Sequence, residues 1–499
     1  MRRLLPVVCW MAVTLVPPVH GQETVPAAGV VQATGPAPAV DPEISAAVSN
    51  VTRVESWRFF EPPGDAVDPN YTFFGNRFDT YLRVRGSRFD LSGGFSYVRV
   101  EHLPTDAIGP GGLGTGPFYY VASGIPYSYQ ASVKEFTASV HTRDRRFGMT
   151  IGRMPYMSGG EGEPFNVRPA TTRVAEIRRL RLDGRLIGTF DWSYYQRRFD
   201  GVRIDLARGR DYAGAGAFLV SQGGFEESTN LTIPKLQVGT AFAGRRHGST
   251  AETQAFAVVY RDRREIDIRP DNANVPVDAA DVTVWSAGAS HLGTRVLARG
   301  DADWLAWGAL QGGDWYGQTH NAFGLAGEAG YRWRDRPGRP WIRAGVSYAS
   351  GDGNPRDDRH GAFFPMLQDT RTYALSMVYA HANLRDVFAQ VLAEPHPRLR
   401  LRVDLHRLDL AQAADRWYQG SGATAREGRF FGFSTRPSSG ARSLGTILEG
   451  TADVRVSRYW SVNGYMGRMW GGPVVRGVFS GDRLFYWYVE NVLELRLGP

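Results

Sequence analysis

Lysine and cysteine are nearly absent from this chain of 499 residues. Of its 58 basic residues only Lys134 and Lys235 are lysine, and the others are arginine. The one cysteine, Cys9, falls in the apolar N-terminal stretch, which excludes a disulfide framework or a cysteine metal centre in a processed chain. Beyond that stretch no run approaches the ~18 apolar residues of a spanning helix, so helices do not anchor the remainder. The HExxH pair, the GxSxG elbow and the GK[ST] of a phosphate loop are missing as well. The glycine-rich 109–116 therefore reads as a loop. Carboxylates are abundant enough that some pair must fall at glycosidase distance by chance. No catalytic residue, metal ligand or cofactor is expected.

Glycine (59 residues) and aromatics (12%) are what the chain has in plenty. Glycine suits turns and bends in a barrel, and aromatics suit the girdles at a membrane interface. Mean hydropathy of −0.31 with 42% hydrophobic residues excludes a helical membrane protein. It matches a β-barrel, in which half of each spanning strand is polar. Met1-Arg2-Arg3 and the apolar run 4–16 have the pattern of a secretory signal, ending near Gly21. Loss of Arg2 and Arg3 with that leader takes the formal charge from +8 to +6, so any anionic partner must be recognised by position rather than by bulk charge. Export makes nucleic acid an unsuitable partner. Residues 22–53, rich in Ala, Pro, Val and Thr, read as a periplasmic linker, with a weak helical pattern at 43–51.

From residue 54 the dominant signal is alternation. In 399–406 Leu399, Leu401, Val403 and Leu405 share one face, while Arg400, Arg402, Asp404 and His406 share the other. Leu82 and Val84 oppose Arg83 and Arg85, and Val98 and Val100 oppose Arg99 and Glu101. Leu180 and Leu182 oppose Arg179 and Arg181. Phe190, Trp192 and Tyr194 oppose Asp191 and Ser193, and Ile266 and Ile268 oppose Asp267. Tyr373, Leu375, Met377 and Tyr379 oppose small residues, and Val454 and Val456 oppose Asp453 and Arg455. At the end of the chain Phe485, Trp487, Val489, Leu493, Leu495 and Leu497 oppose Tyr486, Tyr488, Glu490 and Glu494.

Turn chemistry separates these segments, and no strongly helical stretch interrupts them after the linker. Long connections are expected at 103–126, 156–172, 350–369 and 412–443. Roughly 450 residues at ~25 per strand and connection give about eighteen strands, an even number being expected. The apolar faces carry almost no charge, as lipid contact demands, since a mid-depth arginine facing lipid costs ~2–4 kcal/mol. The fold class read from the sequence is all-β: a single large transmembrane antiparallel β-barrel with long extracellular loops, spanning 54–499, in a Gram-negative outer membrane.

Several stretches, in this order, resemble the alginate export family of outer-membrane porins: Ile151-Gly152-Arg153 at a strand end; GVSYASGDGNPRDD at 345–358; the strand 399–410 followed by DRWY at 415–418; LGTILE at 444–449; and GYMGRMWGG at 464–472. The resemblance covers most of the chain from residue 54. It implies a monomeric barrel whose constricted, arginine-rich lumen passes an anionic polyuronate, with periplasmic export machinery as a further partner. It places Arg153, Arg400 and Arg402 in that lumen. The end of the chain, LRLGP, departs from the aromatic terminus usual in such barrels.

Alternation supplies the other pore-lining candidates, Arg83, Arg85, Arg99, Arg181 and Arg455, with Asp404, Glu449 and Asp453 as counter-charges. Rings of guanidinium select anions, and the planar fork pairs bidentately with carboxylate. Inward carboxylates keep each site shallow enough to release what it binds. The expected function is a non-enzymatic, anion-selective outer-membrane channel exporting an alginate-like polysaccharide. Alternatives are a general porin or small-organic-anion uptake channel, and a secreted all-β carbohydrate-active protein. His406 reads as a lumen polar group, and the acidic 352–358 as a polar outer loop rather than a calcium site.

Overall fold

The structure, a computed structural model, describes residues 42–64, 67–108, 112–157, 172–266, 269–271, 281–372, 374–426 and 431–498. The expected signal segment, and the linker as far as residue 41, lie outside them. Thirteen strands open the described chain. They are β1 (Glu43–Arg58), β2 (Asn70–Arg85), β3 (Phe89–Glu101), β4 (Tyr127–His141), β5 (Phe147–Met154), β6 (Phe199–Arg208) and β7 (Asp211–Ser221). β8 (Thr232–His247), β9 (Ala251–Asp262), β10 (Val282–Leu297), β11 (Gly300–Trp315), β12 (Gln318–Trp333) and β13 (Trp341–Ala349) follow. After the two-residue β14 (Arg359–His360) come β15 (Leu384–His396), β16 (Leu399–Leu410), a hairpin of β17 (Arg416–Gly420) and β18 (Phe433–Pro437), β19 (Ser443–Arg455), β20 (Trp460–Gly471) and β21 (Arg483–Leu497).

Without β14, β17 and β18, each strand pairs antiparallel with the next. β21 returns to β1 in continuous register from Ala46↔Leu497 to Arg58↔Phe485. Among the described residues this is a closed barrel of eighteen strands. Closure removes the unpaired edges that hydrocarbon does not tolerate. β1 corrects the sequence reading, because Glu43–Arg58 is a closing strand where a linker and a short helix were expected. Two flanking strands hydrogen-bond it along its length, which outweighs a weak helical pattern.

The wall obeys the expected alternation. On β16 Leu401, Val403 and Leu405 are 37%, 49% and 48% exposed, whereas Asp404 and His406 are 1% and 0% exposed, so the apolar side faces out. Phe485, Trp487, Val489, Leu493, Leu495 and Leu497 take the more exposed face of β21, as expected. Strands of 16 residues such as β1 and β2 run about 50 Å at ~3.3 Å per residue, ample for tilted passage across a membrane. Short turns at 86–88, 209–210, 248–250, 298–299 and 397–398 lie at the end that holds both barrel termini, the periplasmic end of such a fold. The long connections 102–126, 155–198, 350–383 and 411–442 lie at the other end.

Three expected strands prove to be parts of these long connections. Helix α1 (Gly116–Ser123) lies in the connection 102–126, and residues 172–181 form helix α2 (Thr172–Arg181). Val174, Ile177, Arg178 and Arg181, spaced three or four apart, are its buried side, and this helical period was masked by the local alternation of leucine and arginine. Phe190 and Tyr194 are buried in irregular chain rather than facing lipid. Leu375, Met377 and Tyr379 follow a short 3₁₀ turn (Thr370–Thr372) in an irregular segment. Ile266 is buried beyond the end of β9, and Ile268 and Tyr373 lie outside the described residues.

Candidate functional site

The connection 155–198 touches strands on every side of the barrel, which only a segment inside the lumen can do. Arg178 of α2 pairs with Glu252 on β9, and Arg181 with Glu328 on β12 at 3.0 Å. Glu176 pairs with Arg400 on β16 at 2.5 Å. Past the helix, the carbonyls of Trp192 and Ser193 accept from Arg53 on β1 and Arg77 on β2. α2 is therefore a strut across the passage.

Six arginines gather about three carboxylates around this strut. Glu328 accepts from Arg181, Arg185 and Arg343 at 3.0–3.1 Å. Asp303 takes Arg343 at 3.0 Å and Arg173 at 3.8 Å, and Trp341 Nε1 donates to it at 2.7 Å. Glu176 is shared by Arg173, Arg332 and Arg400. Aromatic faces hold the guanidinium groups: Arg173 lies 4.0 Å over Trp341, and Arg181 4.0 Å over Phe388. Arg173 and Arg343 keep N–H groups with no hydrogen-bond acceptor among the described residues. Arg179, on the exposed side of α2, has no ion pair among the described residues; the charges acting on it most are Arg400, Glu176, Asp183 and Asp453. The constriction thus carries more positive than negative charge, with donors left for an anion.

The expected lumen residues fall into two groups. Arg400 and Arg402 face inward, Arg402 bonding Asp404 at 2.5 Å. Arg83 faces Glu135 across the lumen wall at 3.7 Å, and Arg85 sits at the periplasmic rim opposite Glu43 and Asp90. Arg455 and Asp453 take the inward positions of β19, and Asp404 and Glu449 are buried there. Arg181 reaches the lumen from α2 rather than from a strand.

Arg99 and Arg153 do not face the lumen. Arg99 shares the outer face of β3 with Phe95 and Tyr97 and pairs with Glu101, while Val98 and Val100 point into a buried aromatic cluster. At this end of the barrel the interior is packed with apolar side chains, so Val98 and Val100 turn in and the charged face turns out, where Arg99 is exposed. Arg153 shares the outer face with Phe136 and binds Asp200 through both ends of its fork at 2.7 Å. Its remaining donors go to the carbonyls of Val133, Thr229 and Asn230, so it clamps the wall to the connection 222–231. Gly152, with φ +124, permits the close approach there, since a Cβ would lie 2.1 Å from the Phe136 carbonyl.

Sequence reasoning missed the residues that bind the inner connections to one another. Arg197 donates to Gly188, Leu367, Ser421 and Ala423 carbonyls at 2.8–3.2 Å, joining three connections at one guanidinium. Arg371 lies between Trp192 and Tyr488, 4.9 and 5.1 Å from their rings, and has no carboxylate partner among the described residues. No local pattern marks either residue, because each is defined by contacts distant in sequence. Burial pushes the Asp415 carboxyl up to about 7 and, helped by Asp191, that of Asp369 up to about 6.

The profile of a family described as alginate export matches residues 161–478. No curated protein sequence matches the chain. Among solved structures it is similar to OccAB1 of Acinetobacter baumannii, with TM-score 0.56 and 8% identity over 91% of this chain and 97% of that one. It is similar to Pseudomonas aeruginosa OccK2 (OpdF) in complex with glucuronate, with TM-score 0.52 and 11% identity over 92% and 96%. A third is Pseudomonas aeruginosa OpdK with vanillate, with TM-score 0.54 and 10% identity over 91% and 99%. At such identities the likeness is one of fold.

Proposed function

The chain belongs to the alginate export family, and from that premise we propose that this outer-membrane barrel is an anion-selective channel for small organic carboxylates, uronates included. The surplus of arginine over carboxylate at the α2 constriction carries the reading. A carboxylate entering from either end meets Arg179 on the exposed side of α2, with the half-buried Arg173 and the buried Arg343 behind it adding to the positive field. It is attracted by paired N–H forks, and the neighbouring Glu176, Glu328 and Asp303 keep its binding shallow enough for release. The ligands named in the OccK2 and OpdK structures, glucuronate and vanillate, are both carboxylates. The inner connections that cross the lumen favour small solutes over bulky ones.

The family match favours a second reading, in which a single chain of an anionic polysaccharide such as alginate threads the same arginines, supplied by periplasmic export machinery. The two readings share the selectivity and differ in the size of the cargo. Reversal potentials in a planar bilayer under a salt gradient test the shared part, and an anion-selective pore is expected. Cation selectivity in the unmodified channel overturns it. Liposome swelling with glucuronate against oligouronates then separates the two.

A further inference from the structure

We propose that the lumen wall holds a divalent transition-metal site, with Zn²⁺ as its occupant, formed by Asp404, His406 and Glu449. Asp404 and His406 are two apart on β16 and share its inward face, and Glu449 on β19 is the direct cross-strand partner of Asp404. One ligand atom from each lies within 4.8 Å of the other two, and all three residues are buried. A carboxylate pair with an imidazole, drawn from two hydrogen-bonded strands, is a rigid three-ligand set.

The hydrogen bonds around the set leave the atoms a metal needs. His406 Nδ1 bonds both Asp386 oxygens at 3.0 Å, so Nδ1 carries a proton, and in the neutral imidazole Nε2 keeps its lone pair. Nε2 has no partner among the described residues, in a residue of 0% exposure. A carboxylate behind the far nitrogen of an imidazole is the outer-shell arrangement that orients a metal-bound histidine. Asp386 is itself fixed by Tyr379 Oη at 3.0 Å. Asp404 Oδ2 accepts from Arg402 while its Oδ1 has no partner among the described residues. Glu449 accepts from Tyr465 Oη at 3.0 Å and from the backbone N–H groups of Leu375 and Ser376 at 2.8 and 3.2 Å.

The charge and the donor set identify the ion. Asp386, Asp404 and Glu449 outnumber the two arginines near them, Arg402 and Arg181, so the cluster can take a further cation. One imidazole nitrogen excludes the all-oxygen preference of Ca²⁺ and Mg²⁺, and the lack of thiolate excludes Cu(I). Because Glu449 also holds Leu375 and Ser376, the ion would tie the connection 350–383 to the wall. The site does not depend on which anion the channel carries.

Full-length barrel in detergent, stripped with a chelator and titrated with ZnCl₂ in a calorimeter, tests the proposal, with heat-modifiable gel migration as the check on folding. One saturable Zn²⁺ per chain is expected, with one imidazole in its X-ray absorption spectrum. His406→Gln should abolish that binding, and Asp386→Asn should weaken it by about 10- to 100-fold. Absence of saturable binding, or binding unchanged in His406→Gln, overturns the site. If His406→Gln fails to fold, an unchanged affinity in Asp386→Asn overturns it equally.

Discussion

Arg181 on α2 donates its Nε proton to Glu328 on β12 at 3.0 Å, with both side chains buried and 147 positions apart in the chain. This contact turns a connection into a strut. Removing Arg181 leaves Glu328 with Arg185 and Arg343, so the cost falls below the roughly 3–5 kcal/mol of a buried charge left with no partner. Arg181→Ala is therefore expected to loosen α2, still held by Arg178 and Glu176, while the barrel stays closed. Single-channel recording should show a larger and noisier conductance, and a conductance identical to that of the parent protein would mean that α2 does not set the passage.

Charge reversal on the inward face of β16 should act on selectivity. Arg400→Glu combined with Arg402→Glu replaces two cations beside Glu176 and Asp404 with anions. The reversal potential is expected to move toward cations, most strongly at low salt, where screening is least.

Arg99→Glu and Arg153→Ala form the contrasting pair. Arg99 lies on the outer face, so its reversal should leave the reversal potential unchanged. Arg153→Ala breaks the clamp to Asp200 and to 222–231, so a glutamyl endopeptidase should cut that connection after Glu226 or Glu227 faster, without altering ion selectivity.

Leu401→Arg tests the lipid face directly. A guanidinium on that face costs ~2–4 kcal/mol at mid-depth and less near the interfaces. Urea unfolding in vesicles should show a clear loss of stability, and a neutral outcome would place this face away from hydrocarbon.

Acidity should tighten the inner connections. Asp415, raised to about 7 by burial, holds its proton in the folded state well above the ordinary range of a carboxyl. The native state thus binds more protons than the unfolded one between about pH 4 and 7, and the stability gained is complete below that window and lost as pH rises through 7. Asp369, raised to about 6, acts in the same direction over a narrower window. Hydrogen exchange in 411–442 is expected to be slower at pH 5.5 than at pH 8.5, and Asp415→Asn should flatten the difference.

The alternation of β16 and β21 and the polar turns between strands determined the wall by themselves, because a side-chain period of two follows from strand geometry. A period of two defines two faces without saying which is inside. For Leu401 beside Arg402 the cost of charge in lipid decides. For Val98 beside Arg99, at the end of the barrel where the interior is packed, only the tertiary contacts decide. Helix α2, the Arg197 junction and the meeting of His406 with Glu449 were settled the same way, by contacts between groups far apart in the chain that no local pattern displays.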